Sequence, residues 1–283
     1  MTDQIIMHAP AKINLSLDIT GKRPDGYHTL RSVFQTVSIY DTLTIRRTAP
    51  ELPLSLTCDT PGVPCDERNL VWKAAQRLLG KCPCGIAMHL EKRIPSQAGM
   101  GGGSSDCAAA LRGIRTLLEL PVTDDALLQI AAKLGADVPF FLRGGTVLCE
   151  GIGEIMTPLA PMPERILVIA KGSEGVSTPE GYRRLDALTA QPAPATDRVL
   201  QALYGDAEAL FSACGNAFDA VTELAEVQQI RAVMRANGVH PVLSGSGAAV
   251  FGGCRDAAQA EALADALRST GLGFVAVCRT CTA

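Results

Sequence analysis

The sequence predicts an α+β protein of two domains, and three observations predict it. Near the N-terminus Ile13, Leu15, Leu17 and Ile19 alternate with Asn14, Ser16, Asp18 and Thr20, the period-two pattern of a half-buried strand. Midway, an apolar run over 86–94 enters a loop of glycines and serines that opens into helical spacing (Ala108, Leu111, Ile114, Leu118). Beyond Pro158, Pro161 and Pro163, which mark a domain boundary, the chain ends in strand, helix and strand. The expected domains are 1–160 and 161–283.

Taken in order, residues 43–47 and 54–58 are further short strands of a β-rich opening. Asn69 caps a helix to Leu79, with Val71, Ala74, Ala75, Leu78 and Leu79 facing inward. A helix over 124–134 ends at Gly135, a suitable C-cap. Residues 144–154 read as a strand followed by a tight Gly151-Ile152-Gly153 turn. The second half opens with a strand over 166–170 and a short helix over 179–185. An Ala- and Pro-rich loop over 186–197 follows, then helices over 216–224 and 227–236. A strand and turn over 241–251, a helix over 257–269 and a strand over 274–279 complete the chain.

The composition narrows the function classes. Of 283 residues, 47% are hydrophobic and 19% charged, which is a globular protein with a real core. A net charge of −3 gives no general attraction to nucleic acid or to an anionic membrane, so neither is an expected partner. No leader peptide and no bilayer-length apolar run is read, and the expectation is a cytoplasmic protein. Its ten cysteines are then free thiols; Cys82, Cys84, Cys278 and Cys281 are the one set that would make a four-thiolate zinc site. His8, His28, His89 and His240 lack metal-ligand spacing. The expected assembly is a monomer or weak homodimer.

The central loop is Pro95-Ser96-Gln97-Ala98-Gly99-Met100-Gly101-Gly102-Gly103-Ser104-Ser105. A loop with so little side chain lets backbone N–H groups close around an anion, and the following helix adds its positive end. A polyphosphate is the expected guest. No lysine precedes Ser104, so this is not a Walker A loop, and the spacing of Gly99 and Gly101 misses the dinucleotide fingerprint. The bland alternative is a glycine-rich turn capped by a serine.

Two further segments line up with the loop. One is Pro10-Ala11-Lys12-Ile13-Asn14-Leu15 followed by Asp25-Gly26-Tyr27-His28; the other is Leu243-Ser244-Gly245-Ser246-Gly247-Ala248. Together they resemble the GHMP small-molecule kinases. Asp25–His28 and Gly135-Ala136-Asp137-Val138-Pro139 are similar to the branch that acts on a cytidylyl-methylerythritol alcohol. The resemblance runs from about Pro10 to Gly252. It implies a ribosomal-protein-S5-like N-terminal domain, a ferredoxin-like C-terminal α/β layer and an active site between them. It also implies ATP-dependent phosphorylation of the 2-hydroxyl of 4-diphosphocytidyl-2-C-methylerythritol, with Mg²⁺ accompanying ATP.

Phosphoryl transfer asks the protein mainly for positioning and charge, plus a carboxylate near the alcohol proton. The resemblance gives Asp137 that base role and Lys12 the role of steadying the hydroxyl and γ-phosphate. Without it, Asp137 is a turn aspartate and Lys12 a strand lysine reaching for solvent. Tyr27 is implied to stack on cytosine and His28 to bond its polar edge, with Tyr182 as a second ring; a loop aromatic packing on its own domain is the alternative. Asn14 lies on the face of Lys12 and is expected to touch the diol. Asn69 and Lys92 are expected on the adenine side, and Ser244, Gly245, Ser246 and Gly247 close the site. Ser104 or Ser105 would serve the metal, whose acidic ligand is not identified. Met100, Lys171 and Gly181 depart from the usual leucine, proline and alanine. The alternatives are a GHMP kinase for another alcohol, or an inactive nucleotide-binding regulator.

Overall fold

The computed structural model describes residues 3–80 and 85–282. It opens with two long antiparallel strands, β1 (Gln4–Lys22) and β2 (His28–Thr48), joined by a turn in which Gly26 takes a positive φ of 89°. The first sheet has seven strands. It adds β3 (Ser55–Cys58), β4 (Gly85–Glu91), β5 (Thr146–Gly151) and β6 (Ile155–Pro158), and later a two-residue strand from the second half. Helices α1 (Leu70–Leu79), α2 (Gly102–Leu117), α3 (Asp124–Leu134) and α4 (Val138–Arg143) cover it. Leu43, Ile45, Ile86 and Leu90 of the sheet meet Ala108, Leu111, Ile114 and Phe140 of the helices in one core.

The second half begins with β7 (Ile166–Lys171) and α5 (Thr178–Asp186), then α6 (Thr196–Ala202) and α7 (Ala207–Ala213). The short strand β8 (Gly215–Asn216) pairs parallel with β1 at Ser16 and Leu17, and a 3₁₀ turn (Ala217–Ala220) follows it. Then come α8 (Ala225–Ala236), β9 (Val242–Leu243), β10 (Val250–Cys254), α9 (Ala257–Arg268) and β11 (Phe274–Arg279). These strands form an antiparallel four-stranded sheet in the order β11-β7-β10-β9. Val168, Ala170 and Val250 pack there against Ile230 and Met234 of α8 and Leu263 and Leu267 of α9.

Several expectations needed correction. The strand over 13–20 is buried on both faces through Asp18, not half-buried, because the second half covers its polar face. Asp18 there accepts hydrogen bonds from the backbone N–H groups of Ala195 (2.8 Å) and Thr196 (2.9 Å), and Thr196 Oγ1 bonds Ser16 Oγ (2.9 Å). Buried polar groups with partners cost little, so a polar face need not be a wet face. The helix after the glycine loop starts inside it, at Gly102. The strand over 144–154 is a hairpin whose second arm ends at Pro158. The helix over 216–224 is instead β8 and a 3₁₀ turn, and the strand over 241–251 is split into β9 and β10. Neither α6 nor α7 was foreseen, although Asp206 caps α7 through Ala209 N. Cys82 and Cys84 lie outside the described residues. The described cysteines are unpaired, and among the described residues no cluster of metal-ligating side chains occurs.

Candidate active site

Lys12, on β1, points into the space below the glycine loop. Its backbone N–H donates to Met100 O (3.0 Å), and its Nζ lies 3.9 Å from Asp137 Oδ2. Nζ also donates to Asn14 Oδ1 (2.6 Å) and sits 4.6 Å from the centre of the Phe34 ring. Burial pulls the Lys12 ammonium below the ordinary lysine range, opposed first by Asp137 and then by Cys149. The Cys149 thiol, fully buried nearby, is pushed up to about 12 by burial. Asp137 stands at the N-cap position of α4 yet makes no capping bond, and its side chain is 33% exposed. Its carboxylate therefore remains available to a hydroxyl.

Asn14 does not face an open cleft. It is buried, and its Nδ2 donates to Ser32 Oγ (2.9 Å), which in turn bonds Ser16 O. The amide is thus held at both ends and acts on Lys12. Ser32 belongs to this chain of bonds and was missed, because a serine in a long strand carries no distinguishing sequence pattern.

The glycine loop passes Lys12 and then becomes α2. Gly101 takes a positive φ of 71°, and a Cβ there would come 2.6 Å from Phe141 Cζ and 3.3 Å from Lys12 Cγ. The first helical bond runs from Ser105 N to Gly101 O (2.9 Å). That leaves the amides of Gly102, Gly103 and Ser104 without helical partners, on a cavity of about 260 Å³ lined by Leu70, Lys92 and residues 94–104. Ser104 is half-buried, whereas the Ser105 hydroxyl is buried with no hydrogen-bond partner among the described residues. Asn69 keeps its cap role: Oδ1 accepts from Val71 N (2.9 Å) and Nδ2 donates to Pro64 O (2.7 Å).

Lys92 lies under the first turn of α2, where a Cβ on Gly102 would approach its Nζ to 3.3 Å. Its ammonium is clamped between Asp41 and Asp106, at 2.6 Å from the latter. Asp41 also accepts from the backbone N–H groups of Arg93 and Ile94. Burial pulls Lys92 down, but Asp106 and Asp41 outweigh it and hold it above the ordinary lysine range. Asp106 is pushed up to about 7, mainly by burial, with Lys92 opposing.

The third motif is bonded directly to the second. Ser244 Oγ donates to Gly99 O (3.1 Å), Ala248 N to Gln97 O (3.1 Å) and Ala249 N to Ala98 O (3.2 Å). A Cβ on Gly99 would fall 1.9 Å from Ser244 O, so only glycine fits there. Asn216 Nδ2 holds Leu243 O (2.7 Å) and Gly245 O (2.8 Å), tying the motif to β8 and so to β1. Sequence reading took Asn216 only as a helix start. Ser246 Oγ meets Thr178 Oγ1 at 2.8 Å, at the head of α5.

From α5, Tyr182 reaches the turn of the first sheet. His28 stacks on it with ring centres 4.6 Å apart and planes 12° apart, and Phe218 meets Tyr182 edge-on at 5.0 Å. Burial, and then the charge of Asp137, push the Tyr182 hydroxyl up. Tyr27 stays outside the stack, 62% exposed.

Comparison with known proteins shows the family of the chain. Residues 69–145 match the family described as GHMP kinases N terminal domain. The 4-diphosphocytidyl-2-C-methyl-D-erythritol kinase of Exiguobacterium sibiricum is 41% identical over 270 residues, covering 93% of this chain and 94% of that protein. That of Alkaliphilus metalliredigens is 38% identical over 258 residues, covering 88% and 87%. A crystal structure of 4-(cytidine 5'-diphospho)-2C-methyl-D-erythritol kinase superposes with a TM-score of 0.84 at 33% identity, over 99% of this chain and 100% of that one. L. major mevalonate kinase, at 18% identity, shares the fold with a TM-score of 0.76, over 100% and 97%. No described helix is long and apolar enough to cross a membrane.

Proposed function

The chain belongs to the 4-diphosphocytidyl-2-C-methyl-D-erythritol kinases, and from that premise we propose how this cleft carries out their reaction. The protein is an ATP-dependent small-molecule kinase of the two-domain GHMP fold. It phosphorylates the 2-hydroxyl of 4-diphosphocytidyl-2-C-methyl-D-erythritol in isoprenoid precursor biosynthesis, giving the 2-phosphate and ADP.

The observation that carries the chemistry is the Lys12–Asp137 pair, 3.9 Å apart beside the glycine loop. Asp137 takes the proton of the attacking hydroxyl. The Lys12 ammonium stabilises the charge that develops between that oxygen and the γ-phosphate. Asn14 and Ser32 keep Nζ on target. The loop 95–105 cradles the triphosphate through its backbone amides and the first turn of α2. Lys92 and Asn69 border the adenine end, Lys92 held by its two carboxylates. Ser244–Gly247 brace the loop from the second half.

For the cytidylyl end, Tyr27 offers an open ring face on which a base stacks, and the His28–Tyr182 stack forms the adjoining wall. Magnesium fits as a nucleotide-borne ion rather than one in a protein cage. Among the described residues no acidic cluster awaits it, and the half-buried Ser104 hydroxyl at the phosphate end suits an oxygen-preferring cation. When bound, it neutralises phosphate charge. The domains divide near residue 160 with the cleft between them. Soluble anionic substrates of this kind suit a cytoplasmic enzyme working as a monomer or weak homodimer.

The test is ADP release from ATP and Mg²⁺ with the cytidylyl alcohol, beside mevalonate, homoserine and galactose. Turnover with the cytidylyl alcohol alone is the expected result. Turnover with another of these alcohols instead would keep the Lys12–Asp137 chemistry and remove the base pocket.

A further inference from the structure

The side chain of Asp186, the last residue of α5, takes its hydrogen bonds among the described residues from the other half of the molecule. Lys22 Nζ lies 2.5 Å from its Oδ2 and His28 Nε2 lies 2.6 Å from its Oδ1. Hydrogen bonds from Lys22, and next from His28, hold its carboxyl below the usual range. An ionised carboxylate only accepts, so Nε2 carries the hydrogen in this contact. A neutral imidazole then has a lone pair at Nδ1. Nδ1 has no hydrogen-bond partner among the described residues. The ring plane is held flat on Tyr182 with the side chain 9% exposed, the backbone pairs with Lys22 at the start of β2, and the Asp186 contact fixes which nitrogen faces the carboxylate.

We propose that Asp186 is a positioning residue for base recognition: it holds His28 as the Nε2–H form, so that Nδ1 accepts from the exocyclic amino group of a cytosine. The inference rests on the cytidylyl reading of the site. A uracil in the same slot offers a carbonyl oxygen where cytosine offers the amino group, and two acceptors then face each other. The contact therefore selects cytidylyl over uridylyl alcohols. Because His28 comes from the first sheet and Asp186 from α5, the acceptor is set only when the two halves are together.

The test uses the intact enzyme with ¹⁵N-labelled histidine rings, His28 being assigned by its loss in His28→Ala. Wild type is expected to show Nε2 protonated and Nδ1 bare at the assay pH. Asp186→Ala is expected to give a mixture of the two forms and to raise KM for the cytidylyl alcohol about tenfold, the scale of one lost hydrogen bond. Its kcat and its KM for ATP stay near wild type, and its preference over the uridylyl analogue narrows. Lys22→Ala keeps the Nε2–H form. Should Asp186→Ala lose its cooperative melting transition, Asp186→Asn, which keeps the shape without the charge, is expected to give the same mixture. A wild-type ring protonated at Nδ1 overturns the proposal. So does Asp186→Ala with unchanged KM while His28→Ala raises it, or Lys22→Ala with the same tautomer change as Asp186→Ala. An unchanged KM in His28→Ala removes the base pocket itself and the inference with it.

Discussion

Lys12 and Lys92 lie on either side of the start of α2, Lys12 beside Gly101 and Lys92 beside Gly102. Both are withdrawn from water, yet their charges are held in opposite directions. Lys12 has one carboxylate at 3.9 Å and is pulled below the ordinary lysine range, because burial wins over a single distant partner. Lys92 has two carboxylates in bonding contact and is held above that range. Burial lowers both, and the number and distance of the acids decide whether it is outweighed. An under-neutralised ammonium is suited to meet incoming phosphate. A fully neutralised one is suited to hold the floor of a pocket in place.

Breaking the catalytic side should cost activity and spare the fold. Asp137→Asn is expected to lower kcat by about 10²–10⁴-fold, the range of a lost general base, with ATP still bound. Single-turnover ADP release together with nucleotide titration measures both. An unchanged kcat would take Asp137 out of the base role.

Breaking the other side should do the reverse. Asp41→Ala strips a buried carboxylate that bonds Lys92 and the backbone of Arg93 and Ile94. The loss expected for breaking a buried pair is about 3–5 kcal/mol of stability. Urea unfolding reads it directly. Loss of turnover without loss of stability would mean that the Lys92 cluster takes part in the chemistry.

The sharpest and smallest contrast is in pH. Lys12 must be charged to act, and its ammonium is depressed from 10.5. Raising the pH therefore discharges it before an ordinary lysine, and kcat/KM is expected to fall on an alkaline limb centred below 10.5. Lys12→Arg, slower overall, is expected to lose that limb because guanidinium stays charged. A limb that survives in Lys12→Arg would belong to another group.

Much of this molecule was legible before any coordinates. Asn69 announced α1, and the helix over 124–134 was legible with its end at Gly135, because caps and periodicity are local properties. The glycine loop declared itself by composition, since few structures other than an anion cradle need so many glycines in a row. Lys12 and Asp137 were named from their motifs, and the fold brings their side chains to 3.9 Å from one another. What escaped were α4, β6, α6, α7 and β8, short elements held largely by their neighbours.

The sequence alone thus determined which residues carry charge, where helices begin and which loop must stay bare of side chains. All of these follow from residues within a few positions of one another. Only the tertiary structure decided that Asn14 serves Lys12 rather than an open cleft, that the polar face of β1 is sealed by Asp18 and Thr196, and that His28 answers to Asp186. Asn14 meets Lys12 two positions away, but it is anchored by Ser32, 18 positions on, and the His28–Asp186 and Ser16–Thr196 contacts join residues 158 and 180 positions apart, so the local sequence does not record the partner. Burial and partner count are properties of the folded whole, and they shift in opposite directions two lysines that look alike in the chain.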